Sequence, residues 1–203
     1  DVRTNAEAVE IHTEDKKVTV CNHNTGEKYQ ETYDKLILSP GAEPIKPNLP
    51  GSDDARVFTL RTVPDTLKIR AYVEQNKPKS AVVIGGGYIG MEMAENLKHA
   101  GLDVTVIEMA EHIIAPLDLD IASLVQNYAR KNGIRLILKN GVQALIPTES
   151  HIEVQLSHGA LNADLVLMSV GVKPETDIAQ KAGVLCNSRG AILVDGLGVG
   201  DVG

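Results

Sequence analysis

The stretch Ala81-Val-Val-Ile-Gly-Gly-Gly-Tyr-Ile-Gly90 decides the fold. An apolar, β-branched run feeds straight into Gly85-x-Gly87-x-x-Gly90. A helical pattern follows, with Ile89, Met93 and Leu97 four apart. A second apolar run, Val104-Thr-Val-Ile107, then ends at Glu108, 23 residues beyond Gly85. Strand, glycine turn, helix, strand and acid in that order are the fingerprint of a dinucleotide site. Each part has a physical reason. Gly85 permits the tight turn off the strand, Gly87 lets backbone approach a pyrophosphate, and Gly90 lets the helix pack on the sheet. The first helical turn, from Tyr88 and Ile89 on, offers N–H groups and a partial positive charge to phosphates. Glu108 is placed to accept hydrogen bonds from an adenine-ribose diol.

The residues after that acid select the cofactor. Met109, Ala110, Glu111 and His112 include no Arg or Lys. A 2′-phosphate would meet two carboxylates and no firm cation, so NAD(H) is expected over NADP(H).

Composition narrows the function. The chain has 203 residues, enough for one large or two small domains, and at 43% apolar it can bury a core. A net charge of −7 argues against nucleic acid or an anionic membrane as partner. No apolar run approaches membrane-spanning length. Cys21 and Cys186 lie far apart without metal-ligand spacing, which fits a reducing cytoplasm and no metal site. Neither sits at a helix start beside a basic partner, so both read as inert thiols.

Outside the glycine turn, the first third reads as β. Ala6–Ile11, Lys17–Cys21 and Lys28–Thr32 alternate polar and apolar residues, with Asn24-Thr-Gly26 as a turn. Lys35–Leu38 reads as a buried strand and is followed by a stiff, proline-rich connector, Ala42 to Gly51. Thr62 and Asp65 mark a helix start, with the helix running to about Gln75. Asp118 caps a further helix whose Ile121, Leu124, Val125 and Tyr128 form one apolar face, with Gly133 as its stop. Strands recur at Ile134–Leu138, Val142–Ile146, Ile152–Leu156 and Leu165–Met168.

Two segments repeat at an offset of 130 residues. Asp34-Lys-Leu-Ile-Leu-Ser-Pro-Gly-Ala-Glu-Pro44 and Asp164-Leu-Val-Leu-Met-Ser-Val-Gly-Val-Lys-Pro174 share Asp-x4-Ser-x-Gly-x-x-Pro. Each follows a hairpin or meander of similar length. Unrelated strand-to-turn junctions would share Gly and Pro, but four matched positions with matched upstream architecture point to a duplication. Only the second copy has a glycine fingerprint upstream of it. The expectation is therefore an excised piece whose first dinucleotide-binding unit lacks its front half.

At these residues the chain resembles the flavin-dependent pyridine nucleotide-disulfide oxidoreductases. That resemblance implies two related dinucleotide-binding domains, one for FAD and one for NAD(P)H, with a C-terminal dimerisation domain in a homodimeric parent. Asp34 to Gly41 resembles the FAD-domain strand and turn, with Ser39-Pro40 in place of Ala-Thr. Gly85 to Glu108 resembles the NAD fingerprint, and Ser169 to Pro174 the second such turn, with Gly171 against the cofactor. Ala191–Asp195 resembles the strand returning to the FAD domain, and Val199-Gly-Asp201 the motif whose acid holds the FAD ribityl chain. Gly196-Leu-Gly198 looks like a shortened junction. Ile114-Ala-Pro-Leu-Asp118 is similar to the coenzyme A-disulfide reductase and NADH oxidase branch, which uses one redox cysteine.

The resemblance implies that Tyr88 gates the nicotinamide pocket and that Glu92 touches the nicotinamide end. A surface tyrosine and a first-turn acid are their plainer readings.

The fold expected is α/β: a Rossmann-like NAD-binding domain, with a parallel sheet and a β-meander, over 57–190. Partial FAD-domain β segments flank it at 1–56 and 191–203. Its cofactor-binding residues are Gly85, Gly87, Tyr88, Ile89, Gly90, Glu92, Glu108 and Gly171, with Gly41 and Asp201 toward FAD in the parent. No catalytic residue is assigned, since the redox cysteine belongs to a part not in this sequence. The function expected is the NAD(H)-binding region of a flavin-dependent oxidoreductase passing electrons from NADH through FAD to a disulfide or oxygen, inactive as this piece. A non-catalytic NAD(H)-binding redox sensor or partner-binding module is the alternative. A methyltransferase reading of the glycine turn leaves the duplication unexplained.

Overall fold

The computed structural model describes residues 1–200. In chain order the elements are β1 (Ala6–His12), β2 (Lys17–Asn22), β3 (Lys28–Thr32), β4 (Ala42–Pro44), β5 (Val57–Phe58), α1 (Val63–Asn76), β6 (Ser80–Ile84), α2 (Tyr88–His99), β7 (Asp103–Ile107) and α3 (Leu119–Lys131). There follow β8 (Arg135–Ile137), β9 (Val142–Pro147), β10 (Ile152–Leu156), β11 (Ala160–Ala163), β12 (Leu165–Met168), β13 (Val172–Pro174) and α4 (Asp177–Lys181). They gather into two compact units, residues 44–172 and residues 1–43 with those from 173 on.

The larger unit is built on a five-stranded sheet in the order β5-β12-β6-β7-β8, every neighbouring pair parallel. Its central strands are largely apolar, Ala81–Ile84 and Leu165–Met168 without a polar residue, because both faces are covered. Ala81, Val83, Val106, Leu165 and Leu167 pack with Ile69 of α1, Ala94 and Leu97 of α2 and Ala129 of α3. The alternate residues Val82, Ile84, Val166 and Met168 pack with Leu145, Ile152 and Val154 of the antiparallel meander β9–β11. Helices, parallel sheet and meander thus form three layers, the α/β arrangement that the glycine fingerprint and strand pattern predict.

Local sequence sets the entry points of these elements. The Asp65 carboxylate accepts hydrogen bonds from the Thr62 N–H at 2.9 Å and the Thr62 hydroxyl at 2.8 Å, closing the first turn of α1. The Asp164 carboxylate accepts from the N–H groups of Lys79 at 2.8 Å and Ser80 at 3.0 Å, while the Asp164 N–H donates to Ser80 Oγ. The leading acid of the second repeat is therefore a staple between the starts of β12 and β6. Burial alone would raise the Asp164 carboxyl, but the Lys79 and Ser80 donors outweigh it and hold it below its ordinary value.

In the smaller unit β1, β2 and β3 form an antiparallel meander with Ile11 and Val18 buried, and α4 packs on β1. The Thr176 hydroxyl, buried ahead of α4, donates to the Gly190 carbonyl at 2.6 Å.

Four features differ from the sequence expectation. Lys35–Leu38 forms no strand: Ile37 is 88% exposed and no partner strand lies beside the segment among the described residues. A central strand needs neighbours on both sides, and its apolar run alone does not supply them. Ala191–Asp195 forms only isolated bridges, Cys186 to Ile192 and Val194 to Gly200. There the Asp195 carboxylate turns the chain instead, accepting from the N–H groups of Leu197 and Val199.

Helix α3 begins after Asp118 as predicted, but buries Ala122, Gln126 and Ala129 and leaves Ile121, Leu124 and Tyr128 exposed. The small alanines allow close approach to the sheet, so the larger apolar side chains face away. Finally, the compact units divide at 43/44 and 172/173 rather than at 56/57 and 190/191. The proline connector belongs with the larger unit: the Leu145 N–H donates to the Pro50 carbonyl at 2.8 Å, and β5 pairs with β12.

Candidate dinucleotide site

Strand order reverses beside β6, with β7 on one side and β12 on the other. In a parallel sheet the crevice at such a switch point, beyond the carboxyl ends of the strands, is where ligands sit. Here it is a cavity of about 660 Å³, within the size range of small-molecule sites. Gly85 and Gly87 line it from the end of β6, Glu108 from the end of β7, and Gly171 from the loop after β12.

The three glycines of the turn do different jobs. Gly85 has φ +104°, and a Cβ there would lie 2.1 Å from the Ser169 carbonyl oxygen. A Cβ on Gly90 would lie 2.0 Å from the Gly85 carbonyl oxygen, so Gly90 sets the contact between helix and turn. A Cβ on Gly87 would meet nothing within 4 Å. That glycine faces open space on the cavity wall, as a cradle for a close-lying ligand requires. The first bond within α2 runs from the Met91 N–H to the Gly87 carbonyl at 2.9 Å. The N–H groups of Tyr88, Ile89 and Gly90 precede it and have no helical acceptor.

Glu108 is half-buried and already engaged. Its Oε2 accepts from the Gly86 N–H at 2.7 Å and its Oε1 from the Ala110 N–H at 2.8 Å. The carboxylate thus braces the glycine turn besides facing the cavity, a role the sequence did not disclose. Each oxygen keeps acceptor capacity for a further donor.

The other assigned residues scatter. Tyr88 and Ile89 line the cavity, Tyr88 being 56% exposed. Glu92 does not line it. It borders a separate cavity of about 280 Å³ between α2 and α3, which Tyr88 also reaches. Gly41 belongs to the smaller unit, with φ +78° and its carbonyl accepting from the Glu175 N–H. Asp201 lies outside the described residues. Sequence reasoning missed Leu49 and Asn140 on the cavity wall, although Asn140-Gly141 is a recognisable turn pair. It also missed Lys139, whose Nζ lies 3.3 Å from Glu111 Oε2 and whose N–H donates to the Ala110 carbonyl. A cation does stand near the acid end of β7, paired with a carboxylate. Among the described residues no group of His, Cys, Asp and Glu is placed to hold a metal ion, and no helix is long and apolar enough to cross a membrane.

A three-layer α/β unit with a glycine turn, an unbonded helix start and a strand-end acid around one crevice has the architecture of the dinucleotide-binding α/β folds. More specifically, the chain belongs to the pyridine nucleotide-disulphide oxidoreductase family, whose model matches residues 1–199. It is 36% identical over 184 residues to an NADH oxidase of Methanocaldococcus jannaschii, covering 90% of this chain and 41% of that one. It is 35% identical to a coenzyme A disulfide reductase of Staphylococcus epidermidis, covering 96% of this chain and 43% of the other. Among solved structures it resembles the water-forming NADH oxidase of Lactobacillus brevis bound to NADH, with a TM-score of 0.80 and 30% identity over 94% of this chain and 42% of that one. The chain spans about two fifths of the length of the curated relatives it matches.

Proposed function

We propose that the larger unit binds NAD(H), as the nicotinamide-nucleotide region of a flavin-dependent oxidoreductase that passes electrons from NADH through FAD to a disulfide or oxygen. The observation that carries this reading is the cavity bounded at once by Gly87, the start of α2 and Glu108. The residues fit the cofactor: Gly87 leaves room for a pyrophosphate, Tyr88 and Ile89 line the cavity with N–H groups that have no helical acceptor, and Glu108 at the cavity wall can receive the ribose hydroxyls. When bound, the nicotinamide supplies a hydride. The part played by this chain is to hold the dinucleotide in one orientation, with Tyr88 at its reactive end. Coenzyme A disulfide reductase and NADH oxidase are names of relatives that cover more sequence, and they support the reaction class for the parent.

The 203-residue chain itself is expected to bind NADH without oxidising it, because it contains a single glycine turn of this kind. Its acidic charge and two unpaired cysteines suit a small-molecule partner in a reducing cytoplasm. Titration calorimetry of the purified chain with NADH and NADPH tests the reading, with an absorbance spectrum of the same sample. Tight NADH binding by a colourless protein is expected. No binding of either nucleotide, or stoichiometric flavin absorbance, overturns the assignment.

A further inference from the structure

The Gly86–Gly87 peptide is the weak point of the phosphate cradle. Glycine on both sides makes its rotation sterically cheap. A flipped peptide would turn a carbonyl oxygen, in place of an N–H, toward a bound phosphate. The structure holds this peptide from behind. The Gly86 carbonyl accepts a hydrogen bond from the Ile114 N–H at 2.8 Å. In a planar trans peptide the C=O and the next N–H point to opposite edges. Fixing the Gly86 carbonyl on Ile114 therefore directs the Gly87 N–H the other way, and Gly87 is the residue that lines the cavity.

The strap that supplies this bond is strained and buttressed. Ile114 has φ +51°, the left-handed region in which a β-branched residue is a rare outlier. Such conformations persist only where their surroundings over-determine them. Ile113 and Ile114 are both buried, and a Cβ on Gly86 would meet Ile113 Cγ2 at 2.8 Å. The Ile113 N–H donates to Oε1 of Gln126 at 3.3 Å, and Gln126 is a buried polar side chain of α3. Together with the bond from the Gly86 N–H to Glu108, both polar groups of Gly86 are engaged.

We infer that Ile113–Ile114, braced by Gln126, is a latch that keeps the Gly86–Gly87 peptide in the orientation that binds phosphate. Gln126 is a positioning residue in this scheme: it acts through the strap and touches no ligand. The inference rests on the NAD(H) reading, and its test separates the two. Gln126→Met removes the acceptor at similar volume, in a buried position where an apolar side chain supports folding. Two measurements are made on the complete chain: amide hydrogen exchange by nuclear magnetic resonance, and NADH titration by fluorescence.

The expected result is faster exchange at Ile113 and Ile114, shifted Gly86 and Gly87 amide resonances, and NADH affinity weakened about tenfold. Exchange in β6 and β12 stays as in the wild type, which a general loss of stability would not allow. In Gln126→Glu an acceptor oxygen remains at the same reach, and the Gly87 resonance is expected near its original position. Unmoved Gly86 and Gly87 amides in Gln126→Met, or NADH affinity within about twofold of the wild type, would overturn the latch. Wild-type protein that binds no NADH, with those amides still shifted in the variant, would remove the nucleotide reading and leave the latch standing.

Discussion

Glu108→Ala separates the two tasks that the structure gives one carboxylate. In the free protein it removes the acceptor of the Gly86 N–H, at 2.7 Å, and of the Ala110 N–H, at 2.8 Å. Hydrogen bonds to charged groups contribute more than neutral ones, but the site opens on a cavity and water can replace the lost acceptor. The expected loss of stability is therefore about 1–2 kcal/mol, below the figure for two fully buried bonds. In the complex the variant also loses the bonds to the ribose diol, weakening NADH by about 1–3 kcal/mol, or roughly 5- to 150-fold. NADPH behaves differently, because removing a carboxylate beside its 2′-phosphate relieves a repulsion. That relief keeps NADPH affinity from falling with it, so the preference for NADH over NADPH should fall by roughly 5- to 150-fold. Calorimetric titration of wild type and variant with both nucleotides gives the four affinities, and thermal unfolding gives the stability. A wild type that prefers NADPH, or a variant whose preference stays within about threefold of the wild type, would refute the role given to Glu108.

What was legible in the sequence follows from how local each signal is. Val82 to Glu108 announces its own structure: β-branched residues, then glycines, then a period of four, then a strand ending in an acid. Elements that depend on distant neighbours were read less well. Lys35–Leu38 has the composition of a buried strand, but composition states what a segment requires and not what lies beside it; Ile37 is exposed. In α3, periodicity selects the large apolar residues, whereas packing selects Ala122 and Ala129 because backbone and sheet approach closely there. Lys139 is far from Glu111 along the chain. It arrives because β7 and β8 pair in parallel and end together. Nothing in Ile113-Ile114 signals a left-handed residue, since its cost is met by contacts to Gly86 and Gln126 that only the fold creates.

Three further outcomes are expected. Gly87→Val should abolish NADH binding in titration while circular dichroism stays native, because its Cβ meets no protein atom within 4 Å; retained binding would mean that the nucleotide does not cross this turn. Glu111→Ala should improve NADPH affinity by roughly twofold to tenfold, since it releases the exposed Lys139 ammonium from its ion pair; an unchanged NADPH titration would place Lys139 out of reach of the nucleotide. Asp164→Asn should destabilise the chain by about 1–3 kcal/mol at pH 7, because the one oxygen Oδ2 accepts from both the Lys79 and Ser80 N–H groups, and a neutral amide oxygen accepts such bonds more weakly than a charged carboxylate. The pH dependence fixes the cause. The Asp164 carboxyl is held below its ordinary value in the folded chain, so the unfolded state takes up its proton first as acid is added. The stabilisation is then fully present above the unfolded carboxyl value of about 3.9 and is lost as pH falls through the folded one. Urea unfolding of wild type and variant between neutral and acid pH should show a stability difference that is constant down to about pH 5 and shrinks below about pH 4. A difference that persists undiminished in acid would mean that the charge of Asp164 contributes nothing to the staple.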